Sequence, residues 1–161
     1  MAKFVGLRDE LLEKSPFDLS GGEKRRAAIA GVIAMDPDIL ILDEPCAGLD
    51  PMGRDLLLSQ IYHYHQERGN TVLLVSHSME DVATVCDRVL VMNHARMEML
   101  DSTAEVFSRG EILSSMGLRV PQITSIIDAL IASGVPLDRG VLTVEQAVYA
   151  VTEYLKKEGR L

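Results

Sequence analysis

The sequence predicts an α/β fold with a mainly parallel sheet. Two observations carry this. Aliphatic runs of strand length occur at residues 39–42 and 71–75, and helix-length segments with their own start and stop signals precede, separate and follow them. Strand and helix in alternation is the pattern of parallel α/β units.

Taken in order, residues 1–18 are short and mixed and end in Ser15-Pro16-Phe17-Asp18. They read as the end of a helix and a loop. Ser20 with Glu23 three residues later is a capping box. It opens a predicted helix over 21–34, which Asp36-Pro37 ends. Ile39-Leu40-Ile41-Leu42 is an unbroken apolar run, expected to be buried on both faces of the sheet. Asp50-Pro51 starts a helix to about Arg68, and Gly69-Asn70 stops it. Residues 71–75 are expected as a second buried strand. Ser78 caps a short helix to about Cys86, and residues 88–92 and 96–100 read as a hairpin around Asn93-His94. Further on, Ile123, Ile126, Ile127, Leu130 and Ile131 have helical spacing, closed by Gly134. Thr143 with Gln146 is another capping box, and Val144, Val148, Val151 and Leu155 are expected to line the buried face of a last helix.

Composition narrows the function classes. The 161 residues carry a net charge of −8 and no Trp. A nucleic-acid backbone calls for a basic face, and base stacking calls for aromatics, so nucleic acid is a poor partner. No apolar stretch reaches the ~18–20 residues of a membrane span. Cys46 and Cys86 have no metal-like spacing, and isolated thiols suggest a reducing compartment. His63 and His65 are two apart on a helix and share no face, so they suggest no metal pair.

The chemistry gathers between residues 19 and 77. Asp43 and Glu44 follow the first apolar run, and a strand end places them at the carboxyl edge of the sheet, where α/β proteins bind ligands. Adjacent residues of a strand point to opposite sides, so Asp43 can face a Mg²⁺ shell while Glu44 faces an attacking water as general base. Leu19-Ser20-Gly21-Gly22-Glu23 opens a helix whose free N–H groups and positive dipole end suit an anion. Ser20 either caps its own helix or donates to a phosphate. His77 closes the second strand run, placed to donate to a terminal phosphate. Read singly, each of these is an ordinary cap, strand end or loop residue; their fixed order is what makes them informative.

On these residues the sequence resembles the nucleotide-binding subunit of ABC transporters. Leu19-Ser20-Gly21-Gly22-Glu23 is similar to the family's signature motif. Ile39 to Asp43 and Glu44 resemble its Walker B strand and catalytic glutamate. Ala47-Gly48-Leu49-Asp50 resembles its D-loop, and His77 its switch histidine. The resemblance covers roughly residues 1–107. Leu118-Arg119-Val120-Pro121-Gln122 and Leu142-Thr143-Val144-Glu145-Gln146-Ala147 resemble the C-terminal extension of energy-coupling factor ATPases, which serve uptake of cobalt, nickel and vitamins.

The resemblance implies a partial P-loop NTPase fold over 1–107 and a helical C-terminal extension over 108–161, a candidate dimerisation element. It implies ATP and Mg²⁺ as ligands, with Glu44 and His77 catalytic and Asp43 on the metal. Leu19, Ser20, Gly21, Gly22, Glu23 and Asp50 would contact nucleotide across a head-to-tail dimer. The implied partners are a second ATPase subunit, in a homo- or heterodimer, and a transmembrane coupling protein at the cytoplasmic face of the cell membrane. Cys46 stands where Thr is usual. Ala95 stands where Gly is common in the hairpin, at a cost of about 1 kcal/mol if φ there is positive.

No G-x-x-x-x-G-K-[ST] phosphate loop occurs in the 161 residues. In the family the strand before that loop lies between the strands at 71–75 and 88–92. Three outcomes are expected: those two strands pair with each other, another chain fills the gap, or the fold is poorly stable alone. Hydrolysis by the isolated chain is not expected. The competing reading is a non-catalytic interaction module that dimerises through its C-terminal helices.

Overall fold

The computed structural model describes residues 6–161. They form two compact units, one up to His77 and one from Ser78 to Leu161.

In the first unit, α1 (Gly21–Ile33) starts at the foreseen capping box. The Ser20 hydroxyl accepts from Glu23 N–H, and the Glu23 carboxylate accepts from Ser20 N–H. The helix gives way to a turn in which Asp36 has φ +53°. β1 (Ile39–Asp43) runs next, then α2 (Pro51–Arg68) and β2 (Thr71–Val75). Asp50 caps α2 through Gly53 N–H, and Gly69 closes it in the left-handed region. β1 and β2 are parallel and pair in register from Ile39 opposite Thr71 to Asp43 opposite Val75. Leu40 and Leu42 pack with Ile29, Ile33, Leu57, Ile61 and Tyr64 of the two helices, and this cluster is the core.

The opposite face of this sheet is bare, which corrects the expectation of two buried faces. Ile39 is 64% exposed and Ile41 63%, and Leu73 and Val75 beside them are exposed as well. An uninterrupted apolar run shows that both faces are suited to burial, but the two helices available in this unit cover one.

The second unit begins with α3 (Met79–Val85), capped by the Ser78 hydroxyl at Asp81 N–H. β3 (Arg88–Asn93) and β4 (Arg96–Ser102) form the foreseen antiparallel hairpin, with a bulge between Val91 and Met92. Its turn residues, His94 and Ala95, both have positive φ, +46° and +59°. This is the arrangement that two-residue hairpins favour, reached here without glycine. Two short helices, α4 (Thr103–Phe107) and α5 (Gly110–Ser115), follow and were not foreseen. The overlooked signal was Ser102 three residues before Glu105; the Ser102 hydroxyl accepts from Glu105 N–H. Val106, Phe107 and Leu113 from these helices form a core with Val82, Val91 and Leu142.

α6 (Gln122–Ala132) and α7 (Val144–Lys157) complete the chain. Gly134, at φ +91°, closes α6, and Val135 N–H reaches back to Leu130 O. Ile127, Val141 and Ala147 form a small core between them. The buried stripe of α7 runs through Ala147, Ala150 and Val151, whereas Val144 and Val148 are exposed. The expected face was therefore offset: α6 packs against the side bearing the smaller alanines.

The described strands make two separate two-stranded ladders.

Candidate functional site

The site is built where β1 and β2 end side by side. The β ladder extends one bond past β1, with Glu44 N–H donating to Val75 O at 2.9 Å. There the chain turns, and Glu44 takes φ +49°. A non-glycine residue in the left-handed region costs roughly 1–3 kcal/mol unless its surroundings hold it. The turn runs through Pro45, Cys46 and Ala47, and Ala47 N–H closes it onto Glu44 O at 3.1 Å.

The twist at Glu44 carries its side chain across to the end of β2. Oε1 of Glu44 accepts the main-chain N–H of His77 at 2.9 Å and lies 2.8 Å from His77 Nδ1. The carboxylate is one-third exposed, whereas the imidazole is 83% exposed. With Nδ1 turned to the carboxylate, Nε2 is the ring nitrogen available to a ligand. In a neutral ring with its proton on Nδ1, Nε2 accepts; it donates when the ring carries both protons. The two residues proposed for catalysis are thus brought into contact. Asp43, one step back on β1, is exposed and falls by alternation on the face of Ile39 and Ile41.

The helix start at Ser20 is built separately. The Ser20 N–H and hydroxyl together hold Glu23, and they keep its exposed carboxyl below the usual range, the Ser20 N–H bond contributing most. Ser20 is therefore a cap in this structure. Leu19 anchors the segment by packing against the core of the first unit. A Cβ placed on Gly21 would meet nothing within 4 Å, whereas one on Gly22 would stand 2.9 Å from Leu49 Cδ2. The two glycines thus differ in purpose. Gly21 is open to an incoming group, and Gly22 lets the loop at residues 47–50 approach α1. Asp50 holds the start of α2, as its bond to Gly53 shows.

Sequence reasoning missed Arg25. Its Nη1 donates to Glu44 O at 2.7 Å and to Ala47 O at 2.6 Å. One –NH₂ group of the guanidinium thereby grips both ends of the turn after Glu44. Such bonds from a charged donor are stronger than neutral ones. Nothing in the local pattern marks Arg25 apart from Lys24 and Arg26, because the turn it grips is 19 and 22 residues away.

The residues present suit ATP and Mg²⁺ in part. The N–H groups of Gly21 and Gly22 lie in the first turn of α1 and are not used by the helix itself, and Gly21 leaves room for a phosphate. Among the described residues no group of three or more metal-ligating side chains gathers. Asp43 would therefore hold Mg²⁺ as one carboxylate beside phosphate oxygens, a usual mode for this ion.

A strand-end aspartate and glutamate, a histidine just past the end of the neighbouring strand and a glycine-rich helix start together resemble the site of an ATP-binding cassette, and known proteins were found similar on the same residues. The profile of the ABC transporter family matches residues 1–47. Over those residues the chain is similar to this family. More particularly, it is 49% identical over 154 residues to the energy-coupling factor transporter ATP-binding protein EcfA2 of Caldanaerobacter subterraneus, a match covering 96% of this chain and 54% of that protein. It is 52% identical to the protein of the same name from Clostridium perfringens, with the same coverage, and 43% identical to that of Bacillus subtilis, covering 59% of it. The chain spans about half the length of the curated relatives it matches.

Among solved structures it is similar to cbiO1 of Clostridium perfringens, described as part of the ABC transporter complex cbiONQ. The TM-score is 0.61 and the identity 38%, over 79% of this chain and 50% of that one. It is also similar to a dimeric ATP-binding cassette in a post-hydrolysis state bound to ADP and Pi, with a TM-score of 0.58 and 26% identity, over 63% of this chain and 43% of that one. The partial P-loop fold is therefore that of the ABC ATPases.

Proposed function

We propose that this chain supplies the signature helix, the catalytic carboxylate and the switch histidine of an ATP-binding subunit in an energy-coupling factor importer, energising uptake of a metal ion or vitamin. The observation that carries this reading is the contact of Glu44 Oε1 with His77 at adjoining strand ends. Glu44 takes the proton of the attacking water, and His77 orients the carboxylate and presents Nε2 to the terminal phosphate. Asp43 holds Mg²⁺, which would neutralise phosphate charge. Leu19, Ser20, Gly21, Gly22, Glu23 and Asp50 serve the nucleotide of the opposing subunit, with the N–H groups at Gly21 and Gly22 as the phosphate clasp.

The relatives' names point to the same role, and the working assembly is a homo- or heterodimer of ATPase subunits on a transmembrane coupling protein at the cytoplasmic face of the membrane. No helix among the described residues is long and apolar enough to cross a membrane. Residues 1–107 would be the cassette part and 108–161 the helical extension.

These 161 residues hold no lysine-bearing phosphate loop, so turnover requires a chain that supplies one. The test is phosphate release by this chain alone and after co-expression with a polypeptide bearing that loop. Release only from the pair, abolished by Glu44→Gln, is expected; release at comparable rates by the chain alone would refute the proposal. The exposed Val144, Val148 and Tyr149 on α7 favour a second reading, a non-catalytic dimerisation module. Concentration-dependent dimerisation with no nucleotide binding by calorimetry would select it.

A further inference from the structure

We infer that Arg25 is a positioning residue that holds the Glu44 carboxylate at His77. The inference deepens the proposed function and rests on it only for its consequence in hydrolysis. Glu44 is tied through all its polar groups. Its N–H bonds to Val75 O and its carboxylate to His77, so two ties run to β2. Its carbonyl is the third, and the side chain that takes it is Arg25 of α1. The same Nη1 also takes Ala47 O, the other end of the turn.

A turn whose two ends share one donor group cannot open without losing one of the two bonds. With the turn fixed, Glu44 stays in the left-handed region that aims its side chain at His77. Without Arg25 the turn retains the Ala47 N–H bond to Glu44 O, and the backbone of Glu44 can relax towards the common negative-φ regions. Relaxation swings the carboxylate away from the end of β2. Arg25 also sits one turn from the open Gly21, so the helix that offers N–H groups to one nucleotide directly braces the base that acts on another. A shift of α1 on binding phosphate is therefore carried to Glu44 through one side chain.

Arg25→Met keeps the aliphatic stem and removes the donors. Arg25→Lys keeps a charged donor on a stem one bond shorter. The first readout needs no nucleotide: hydrogen exchange and amide shift of His77 N–H by NMR in the chain as it stands, with the amides of α2 as control for folding. Arg25→Met is expected to speed exchange at His77 about tenfold or more, with α2 unchanged, and Arg25→Lys to fall between. Wild-type exchange at His77 in Arg25→Met would overturn the inference. Should Arg25→Met fail to fold, Arg25→Lys decides by the same measurement.

The second readout is hydrolysis in the pair with a phosphate-loop chain. Arg25→Met is expected to lower kcat about 10²-fold with KM unchanged, as a misplaced catalytic group does. An unchanged kcat would overturn the consequence for catalysis. If the wild-type pair releases no phosphate, the functional reading fails, while the exchange at His77 still tells whether Arg25 holds Glu44.

Discussion

Oε1 of Glu44 faces His77 twice over, accepting its main-chain N–H at 2.9 Å and lying 2.8 Å from its Nδ1. The relationship links a residue just past the end of β1 to one just past the end of β2. It requires the parallel register in which Asp43 stands opposite Val75. A slip of one residue would move every side chain of β2 to the other face and separate the pair.

Glu44→Gln should leave folding nearly unchanged, because the amide oxygen can still accept His77 N–H. It should lower phosphate release in the complemented assembly by about 10²–10⁴-fold, the usual contribution of a general base. Nucleotide affinity measured by calorimetry should stay near that of the unsubstituted pair. Wild-type turnover in this variant would remove Glu44 from the mechanism.

Gly21→Ala separates the helix-forming role of this position from the phosphate contact proposed for it. The space around its Cβ position is open, and its φ is not positive. In the chain itself the substitution should be neutral or stabilising by up to about 1 kcal/mol, from reduced backbone entropy. It should nevertheless weaken the closing of the nucleotide-bound dimer, followed by analytical ultracentrifugation with ATP in a Glu44→Gln background. Gly22→Ala, whose Cβ would press on the Leu49 side chain and require it to shift, should gain less thermal stability than Gly21→Ala.

Ala95→Gly tests the hairpin turn. Ala95 sits at φ +59°, where a Cβ is strained and glycine is not. The change should raise stability by about 1 kcal/mol, read as a shift in urea midpoint at constant m. His94, also at positive φ, makes the turn unusually poor in glycine, so the gain should exceed that of any glycine placed within β3 or β4.

Cys86 gives the pH dependence its sign. Burial pushes its thiol up to about 11 from an ordinary 9.0, with the charges of Asp87 and Asp81 adding to it. The folded state therefore holds this proton to a higher pH than the unfolded chain. Its contribution to stability is whole below about pH 9 and is lost as pH rises through about 11. Thermal melts across that window should show the loss, and Cys86→Ser, whose hydroxyl does not titrate there, should reduce it, leaving the part due to Tyr64, whose hydroxyl burial also pushes up. At pH 8 alkylation of Cys86 should be about a hundredfold slower in the folded chain than in the unfolded one.

Much of the local structure was legible because local rules governed it. Ser20 with Glu23 and Thr143 with Gln146 form their capping boxes as the spacing requires. Pro51 and Gly69 bound α2 for steric reasons internal to each residue. Burial was legible only by halves. Ile39 and Ile41 are as apolar as Leu40 and Leu42, yet α1 and α2 pack on one face of β1. In α7, spacing drew the stripe through Val144 and Val148, while packing against α6 chose Ala147.

The sequence by itself determined which groups this protein offers to the proposed nucleotide site: the aspartate and glutamate at the end of one aliphatic strand, the histidine past the end of the next, and a capped helix opening on two glycines. Residue type and spacing suffice for that, because caps, strand ends and turns are set within a few residues. Only the tertiary structure decided how they are held. Glu44 meets His77 because two strands pair in one register, Gly22 is small because Leu49 lies against it, and Arg25 matters because its guanidinium grips a turn some twenty residues further on. Those are contacts between segments distant in the chain, and no local pattern encodes them.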